Sequence, residues 1–203
     1  MASEGGLRPY SSLTGTGAGN APTVSFSIVT GEASNIFQGD VVKLVNDGTV
    51  VAMAAAGDEP VLGVFVGCTY VNSDGQTVES NKYTDAIARI DTVAHIIVDP
   101  FQLYKIRIAD SDVDTTLQRS TIGLNYDIEF NAGNSTTGQS GMVLDGGVTG
   151  ITAQANLRLV GLTNDDGTSD FDGTATTSAK TYTHGIVMID PQISFWLGAA
   201  PGL

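Results

Sequence analysis

Three aspartates at alternate positions, Asp110, Asp112 and Asp114, are the residues whose spacing most resembles a metal site. They match the opening of a calcium-binding loop, in which carboxylates alternate along the chain. Such a loop also needs glycine at its sixth position and glutamate at its twelfth, where this chain has Thr115 and Thr121. We therefore interpret the segment as a solvated acidic turn and keep weak divalent binding as the alternative.

A second acidic group lies further along the chain, in a loop rich in glycine, serine and threonine. Carboxylates and backbone carbonyls in such a loop could coordinate a cation, but this spacing matches no calcium loop. We interpret these residues as exposed turn residues and predict no metal site. The group consists of Asp165, Asp166, Asp170 and Asp172.

The two histidines and the single cysteine lie in apolar stretches. A zinc site would need both His95 and His184 together with carboxylates, and isolated histidines in strands are more often hydrogen-bonded structural residues. Cys68 has no second cysteine with which to form an intrachain disulfide, and it lies in the apolar run VFVGCTY. We predict that it is a small buried side chain rather than a nucleophile.

Sequences that activate a serine or bind a phosphate are also absent. The chain contains neither G-x-S-x-G nor G-x-x-x-x-G-K-[ST], and Ser140 lies in a polar loop without the strand and helix of a nucleophile elbow. We predict no catalytic residue, no cofactor and no enzymatic activity. The enzymatic alternative is a β-sandwich hydrolase that uses an aspartate cluster with His95 or His184.

Composition excludes several kinds of partner. The 203 residues carry a net charge of -13 and only 15% are charged, so a nucleic acid backbone would be repelled. The basic residues are dispersed, and only Lys105 and Arg107 are close enough to form a local pair. The N-terminal residues lack the apolar core of a signal peptide, and no apolar run reaches the length of a membrane span. We expect a soluble protein without nucleic acid or membrane partners.

The elements that must position these residues are strands. Short β-branched and apolar runs alternate with turn pairs such as Asp47-Gly48, whose glycine supplies the positive φ that a tight hairpin requires. One short helix is predicted over residues 114–125, with Asp114 as N-cap and Gly123 at its end. Long loops are predicted at 131–141 and 164–179. Strands are predicted at 24–30, 40–46, 49–54, 61–71, 87–90, 94–99, 102–109, 126–130, 142–144, 157–163 and 181–190.

This pattern predicts an all-β protein: a β-sandwich or β-barrel-like domain, of the β-tulip type, with long loops and at most one or two short helices. Residues 1–22 are predicted to be an extended N-terminal arm, since few apolar side chains offset the cost of ordering them. Residues 23–190 form the β-rich domain, with a subdivision possible near 72–86. Residues 191–203 form a C-terminal tail that either docks on the core or serves as an apolar contact for a partner.

The serial order of several segments resembles the head decoration, or cement, proteins of tailed bacteriophages. The similarity extends over about residues 36–190, and the segments read GDVVKLVNDGTVV, EPVLGVFVGCTYVNSDGQ, AHIIVDPFQLYKIR, TIGLNYDI, GQSGMVLD and LRLVGLTND. The resemblance implies a β-rich auxiliary protein on the outer face of an icosahedral shell, with the major capsid protein as partner and self-association as trimers or dimers. It implies no enzyme and no cofactor, and this chain is longer than the smallest members after residue 110.

From these observations we expect a structural virion protein that stabilises the capsid exterior by bridging capsid subunits after synthesis in the host cytoplasm. The alternatives are a tail-associated or receptor-binding β-protein, with the two long loops as contacts, and a shell-forming capsid protein. We predict that contacts to the shell or to other subunits come from apolar residues near the two ends of the chain. These are Leu7, Tyr10, Leu13, Phe195 and Trp196.

Overall fold

The described part of the chain is all β. The computed structural model describes residues 5–14, 21–28, 32, 34–54, 60–84, 90–109, 117, 121–147, 155–163 and 183–197. Within these ranges the strands are β1 Arg8–Ser12, β2 Thr23–Ser27, β3 Ile36–Phe37, β4 Val41–Leu44, β5 Val50–Ala52, β6 Gly63–Val71, β7 Thr77–Ser80, β8 Lys82–Tyr83, β9 Ile90–Ile97, β10 Gln102–Arg107, β11 Asn125–Tyr126, β12 Ile128–Glu129, β13 Val143–Leu144, β14 Leu157–Thr163 and β15 His184–Ile189.

Two sheets dominate the architecture, and their strands pair antiparallel. The five-stranded sheet has the order β1-β10-β15-β14-β11, and the six-stranded sheet has the order β2-β9-β6-β4-β5 with β7 paired to β6. Two-stranded ladders, β3-β8 and β12-β13, complete the described pairing. The six-stranded sheet curls, since Ile28 beyond β2 forms a parallel bridge with Val50 of β5. The result is a sandwich-like all-β domain, as the sequence predicts.

The main core lies between the two sheets, and the alternation of side chains along each strand determines which residues enter it. Tyr104 and Ile106 of β10 point into it with no solvent exposure, whereas Lys105 between them is half-buried on the other face. The six-stranded sheet contributes Val64 and Ile97 to this core. Because successive side chains of a strand point to opposite faces, the two sheets enclose one continuous apolar layer.

A second core covers the other face of the six-stranded sheet. Phe65 and Ile96, the chain neighbours of Val64 and Ile97, pack there with Tyr83 of β8. Strand β6 is therefore buried on both faces, which explains its nearly continuous apolar sequence. Cys68 lies in this second core at 1% exposure, as predicted, and its thiol donates to the Lys82 carbonyl oxygen at 3.4 Å.

The predicted hairpin at residues 46–48 is confirmed. The Gly48 amide donates to the Val45 carbonyl at 2.9 Å, and the Val45 amide donates to the Thr49 carbonyl at 2.9 Å. Gly48 has a φ of +80°, a backbone conformation that residues other than glycine rarely adopt. Asp47 accepts hydrogen bonds from the Thr49 amide and hydroxyl, so local residues fix the pairing of β4 with β5.

The N-terminal segment differs from the predicted arm over residues 5–14. Residues 8–12 form β1, the edge strand of the five-stranded sheet, with Arg8 opposite Lys105 and Ser12 opposite Gln102. Leu7 is buried in the main core at 2% exposure. The few apolar residues are enough to order this segment because it adds a strand to a sheet, and a side chain to a core, that other parts of the chain form.

Three smaller predictions also need correction or lie outside the described residues. The single strand predicted over residues 126–130 is instead split, since Asn125–Tyr126 pairs with β14 and Ile128–Glu129 pairs with β13. Strand β2 exists over residues 23–27, and its predicted apolar face is partly buried: Ile28 lies in the second core and Phe26 packs against it, but Val24 is exposed at this sheet edge. Most of the predicted helix at 114–125 is not described, and its described end is a turn with Gly123 at φ +96°.

Candidate binding surface

Exposed apolar side chains concentrate at one end of the sandwich. This end is defined by the connection between β9 and β10, residues 98–101, which crosses from the six-stranded sheet to the five-stranded sheet. Of the seven large hydrophobic residues that are exposed in the described chain, five lie in residues 10–13, in this connection, or in the C-terminal segment that bonds to Val61 and Leu62. We call these five residues the end patch: Tyr10 at 42%, Leu13 at 58%, Phe101 at 40%, Trp196 at 48% and Leu197 at 44% exposure.

The Asp99 carboxylate organises this end. One oxygen accepts the Phe101 amide at 2.9 Å, and the other accepts the Ser12 hydroxyl at 3.1 Å. The Leu13 amide in turn donates to the Phe101 carbonyl oxygen at 3.1 Å. Backbone hydrogen bonds therefore hold Leu13 and Phe101 side by side while their side chains face solvent.

A bulge in β1 explains the exposure of Tyr10. The register with β10 shifts between Pro9 and Ser11, so Tyr10 has no opposite residue. An extra residue in one strand bends it and redirects side chains. The Gln102 side-chain amide donates to the Ser11 carbonyl at 2.9 Å and steadies the strand just beyond the bulge.

The C-terminal segment supplies the remaining part of the end patch. The Val61 amide donates to the Ile193 carbonyl and the Phe195 amide donates to the Val61 carbonyl, at 2.8 and 2.9 Å. The Trp196 indole nitrogen donates to the Leu62 carbonyl at 3.2 Å. Because Val64 pairs with Ile97 at the end of β9, Leu62 lies level with the 98–101 connection.

The predicted contact residues therefore divide into two groups. Tyr10, Leu13 and Trp196 are exposed members of the end patch, but Leu7 is buried in the main core and is not available as a contact. Phe195 is half-buried against the second core and meets Trp196 edge to face, with ring centroids 5.1 Å apart. Of the two ways the tail was predicted to behave, its described part docks on the core.

Two Asp-Pro sequences form the same corner at the ends of β9 and β15. In each, the aspartate carboxylate accepts the amide two residues later, Phe101 in one and Gln192 in the other. In each, the aspartate carbonyl accepts the amide three residues later. This agreement explains why the segments IIVDP and IVMIDP resemble each other, and it needs no internal repeat.

The outer face of the five-stranded sheet gathers basic side chains that are dispersed in the sequence. Pairing places Arg8 opposite Lys105, and Arg107 follows on the same face of β10. Arg158 of β14 lies on this face as well, and its guanidinium donates to Asp190 at 3.3 Å. Sequence spacing revealed only the Lys105 and Arg107 pair, because Arg8 reaches them through a strand pairing across the chain.

The histidines are not brought together. His95 lies in the six-stranded sheet, where its ring nitrogens contact the Thr69 hydroxyl at 2.8 Å and the Ser25 hydroxyl at 3.4 Å. His184 lies in the five-stranded sheet and contacts the Thr183 hydroxyl at 2.9 Å. Both have the hydrogen-bonded strand positions that the sequence predicts.

The two acidic groups at 110–114 and 165–172 lie outside the described residues. Among the residues that the structure does describe, no three histidine, cysteine, aspartate or glutamate side chains are grouped as a metal site would require. The described ranges also contain no helix with the length and apolar character needed to cross a membrane.

The Asp40 carboxylate is a buried titratable group near the N-terminal segment. One of its oxygens accepts the Phe37 amide at 2.8 Å. Burial raises the pKa of Asp40, while hydrogen bonds from Ser140 and from the Phe37 amide oppose this change. Because the folded protein holds the Asp40 proton more tightly than the unfolded chain, ionised Asp40 costs stability above its folded pKa.

Replacing Asp40 with asparagine should therefore leave stability at pH 7 unchanged or higher. The amide oxygen still accepts the Phe37 amide hydrogen, and no charge is buried. Asp40→Ala should lower the free energy of unfolding by about 1–3 kcal/mol, since the amide then loses its acceptor. Denaturant unfolding of the three proteins at pH 7 and at pH 4 checks this. The wild-type protein should gain stability relative to Asp40→Asn as pH falls, and an opposite trend would refute the assignment.

The geometry describes a surface suited to contact with another macromolecule. The end patch combines aromatic and aliphatic side chains with backbone that is held by hydrogen bonds to the side chains of Asp99, Gln102 and Trp196. No protein-family model, no curated protein and no solved structure matches this chain.

Proposed function

We propose that this chain is a structural virion protein that binds the outer surface of an icosahedral phage capsid and stabilises it by bridging capsid subunits. The observation that carries the proposal is the end patch, a group of five exposed apolar side chains on a braced end of an all-β domain. Clustered exposed apolar residues are typical of interaction sites. The serial resemblance to decoration proteins supplies the kind of partner, the major capsid protein.

The residue types and the fixed backbone of the end patch favour binding over catalysis. Its aromatic members, Tyr10, Phe101 and Trp196, belong to the residue types that dominate the energetics of protein interfaces. Leu13 and Phe101 are connected by a backbone hydrogen bond at 3.1 Å, so little ordering cost remains to be met on binding. A surface that is already arranged suits a protein that must attach to many equivalent sites on a shell.

Low charge also supports this proposal. Only 15% of the residues are charged, so attachment relies on apolar contacts that salt weakens little. If several copies associate, each contact raises the effective concentration of the others. Strong attachment then needs no large interface from any single copy.

Removing the end patch should abolish capsid binding without unfolding the protein. Burial of one large apolar side chain contributes about 1.5–3 kcal/mol, so Leu13→Ser and Trp196→Ser should each weaken binding about tenfold or more. The measurement is cosedimentation with empty expanded heads of the phage that encodes the chain, at increasing protein concentration.

Ile122→Ser provides the matched control. Ile122 is 38% exposed, but it lies beside β11 and β14 at the opposite edge of the five-stranded sheet. It should bind heads like the wild-type protein. Equal loss in all three variants, or no loss in any, would contradict a role for the end patch. Binding of the wild-type protein to purified tails but not to heads would favour the tail-associated alternative.

A further inference from the structure

Strand β2 presents an open edge to solvent. Over residues 23–27 it pairs, among the described strands, with β9 alone. Thr23, Val24 and Ser25 are all exposed, and Val24 is 44% exposed although it is apolar. An edge of this kind can accept a strand from another chain.

Hydrogen bonding with β9 shows which β2 residues face that edge. The Ile28 amide donates to the Thr92 carbonyl at 3.2 Å, and the register continues with Ser27 opposite Val93. Hydrogen-bonded and non-hydrogen-bonded pairs alternate in an antiparallel ladder, so Val24 and Phe26 also bond to β9. Thr23 and Ser25 therefore direct their amides and carbonyls away from the sheet.

The free part of this edge lies toward the start of β2. Beyond Ser27, the sheet curls and Ile28 bridges Val50 of β5, which closes the edge there. The residues before β2, Ala21 and Pro22, pair with no described strand, and Ala21 packs partly buried against the main core. Pairing with another chain must therefore centre on Thr23 rather than on the middle of the strand.

The contrast with β1 indicates that the β2 edge is built for pairing. Strand β1 is also an edge, but it carries Arg8, Pro9 and a bulge at Tyr10, which are features that block strand addition. Residues 21–28 carry no charge, and the register of β2 with β9 has no shift. In a chain of net charge -13, a charge-free edge is where a second copy meets least repulsion.

We propose that two copies of this chain pair through β2, antiparallel, about a two-fold axis at Thr23. Thr23 of one copy then faces Thr23 of the other, and Ser25 faces Ala21. Ala21, Thr23 and Ser25 of each copy then provide the outward-facing amides and carbonyls, which form up to about six backbone hydrogen bonds between the two strands. Val24 lies across from Pro22 on the same face, so the exposed apolar side chain becomes covered. The pairing stands independently of whether the protein binds capsids.

Engineered disulfides test the register. At the two-fold axis, Thr23→Cys places two Cα atoms about 5.5 Å apart, which is within the range that a disulfide spans. Ser25→Cys is the matched control, because its two copies would be four residues out of register, about 14 Å apart. Cys68 is buried and should not react.

On mild oxidation, the Thr23→Cys protein should run at twice the 21.0 kDa chain mass and the Ser25→Cys protein should not. Equal crosslinking of both variants, or none in either, would overturn the proposal. Sedimentation of the unmodified protein should show a dimer that dissociates on dilution. A monomer at all concentrations, or a trimer, would also overturn it.

A proline variant tests the hydrogen bonds directly. Thr23→Pro removes an amide that points away from β9, so it should yield a monomer with the far-ultraviolet circular dichroism of the wild-type protein. Thr23→Val keeps the amide and should remain dimeric. Dimers of unchanged stability in the proline variant would refute pairing at this edge. If the proline variant unfolds, the comparison of Thr23→Cys with Ser25→Cys decides between pairing and no pairing.

Discussion

Leu7→Ala is expected to lower the free energy of unfolding by about 2–5 kcal/mol, because it leaves a cavity in the main core. Leu7 is 2% exposed, and its amide donates to the Gly39 carbonyl at 3.0 Å. The backbone is held in place and the side chain packs within the main core, so its neighbours can close the gap only in part. Denaturant unfolding of the variant and of the wild-type protein measures the difference.

Leu13→Ala is the matched control, since it makes the same change six residues later on a side chain that is 58% exposed. Its effect should be within about 0.5 kcal/mol of zero, as for most surface substitutions. Equal effects of the two substitutions would show that residues 5–14 do not pack as described. This result also matters for capsid assays, because deleting the N-terminal segment would damage the fold as well as the end patch.

Asp190→Ala is expected to lower the free energy of unfolding by about 3 kcal/mol, since it leaves buried donors without an acceptor. The Asp190 side chain has no solvent exposure. It accepts the Asn125 side-chain amide at 2.8 Å and the Gln192 amide at 3.2 Å. Arg158 also donates to the Asp190 carboxylate at 3.3 Å, but the Arg158 side chain is 35% exposed. In the variant, water can therefore accept hydrogen bonds from the guanidinium in place of the carboxylate.

Two further variants make the Asp190 measurement specific. Asp190→Asn keeps one acceptor oxygen in place and should cost less than the alanine variant. Asp74→Ala, in an exposed turn, should change stability by no more than about 0.5 kcal/mol. If Asp190→Ala resembled Asp74→Ala in thermal or denaturant unfolding, the buried hydrogen-bond network would not have the role assigned to it.

The fold could be predicted from the sequence wherever a strand shows its own pattern. Residues 104–107 alternate between buried and half-buried side chains, and Leu157–Thr163 forms a strand with the predicted bounds. Asp47-Gly48 identified a hairpin because the turn chemistry is local. Strand β1 could not be predicted in this way, since its burial depends on β10, which is remote in the sequence.

The candidate site could be predicted only in part, for a similar reason. Tyr10, Leu13 and Trp196 stand out as apolar residues in polar or small-residue surroundings. Nothing in the sequence marks Phe101 as a surface residue, because it directly precedes a strand with an ordinary pattern and its exposure depends on the corner at Asp99. Leu7 and Leu13 have similar surroundings in the sequence. They differ in burial because the pairing of β1 with β10 places Leu7 in the core and leaves Leu13 on the surface.

The pairing of β1 with β10 also affects how the protein folds during synthesis. Arg8 pairs with Lys105, so once β1 has been made it must wait for a partner that is roughly a hundred residues later in the chain. At about 5–20 residues per second, this delay lasts about 5–20 s. During that time Leu7 and Tyr10 have no sheet to join. The nascent chain is then most vulnerable to aggregation and proteolysis around residues 7–12, and the five-stranded sheet should be the last of the described sheets to become protected from hydrogen exchange.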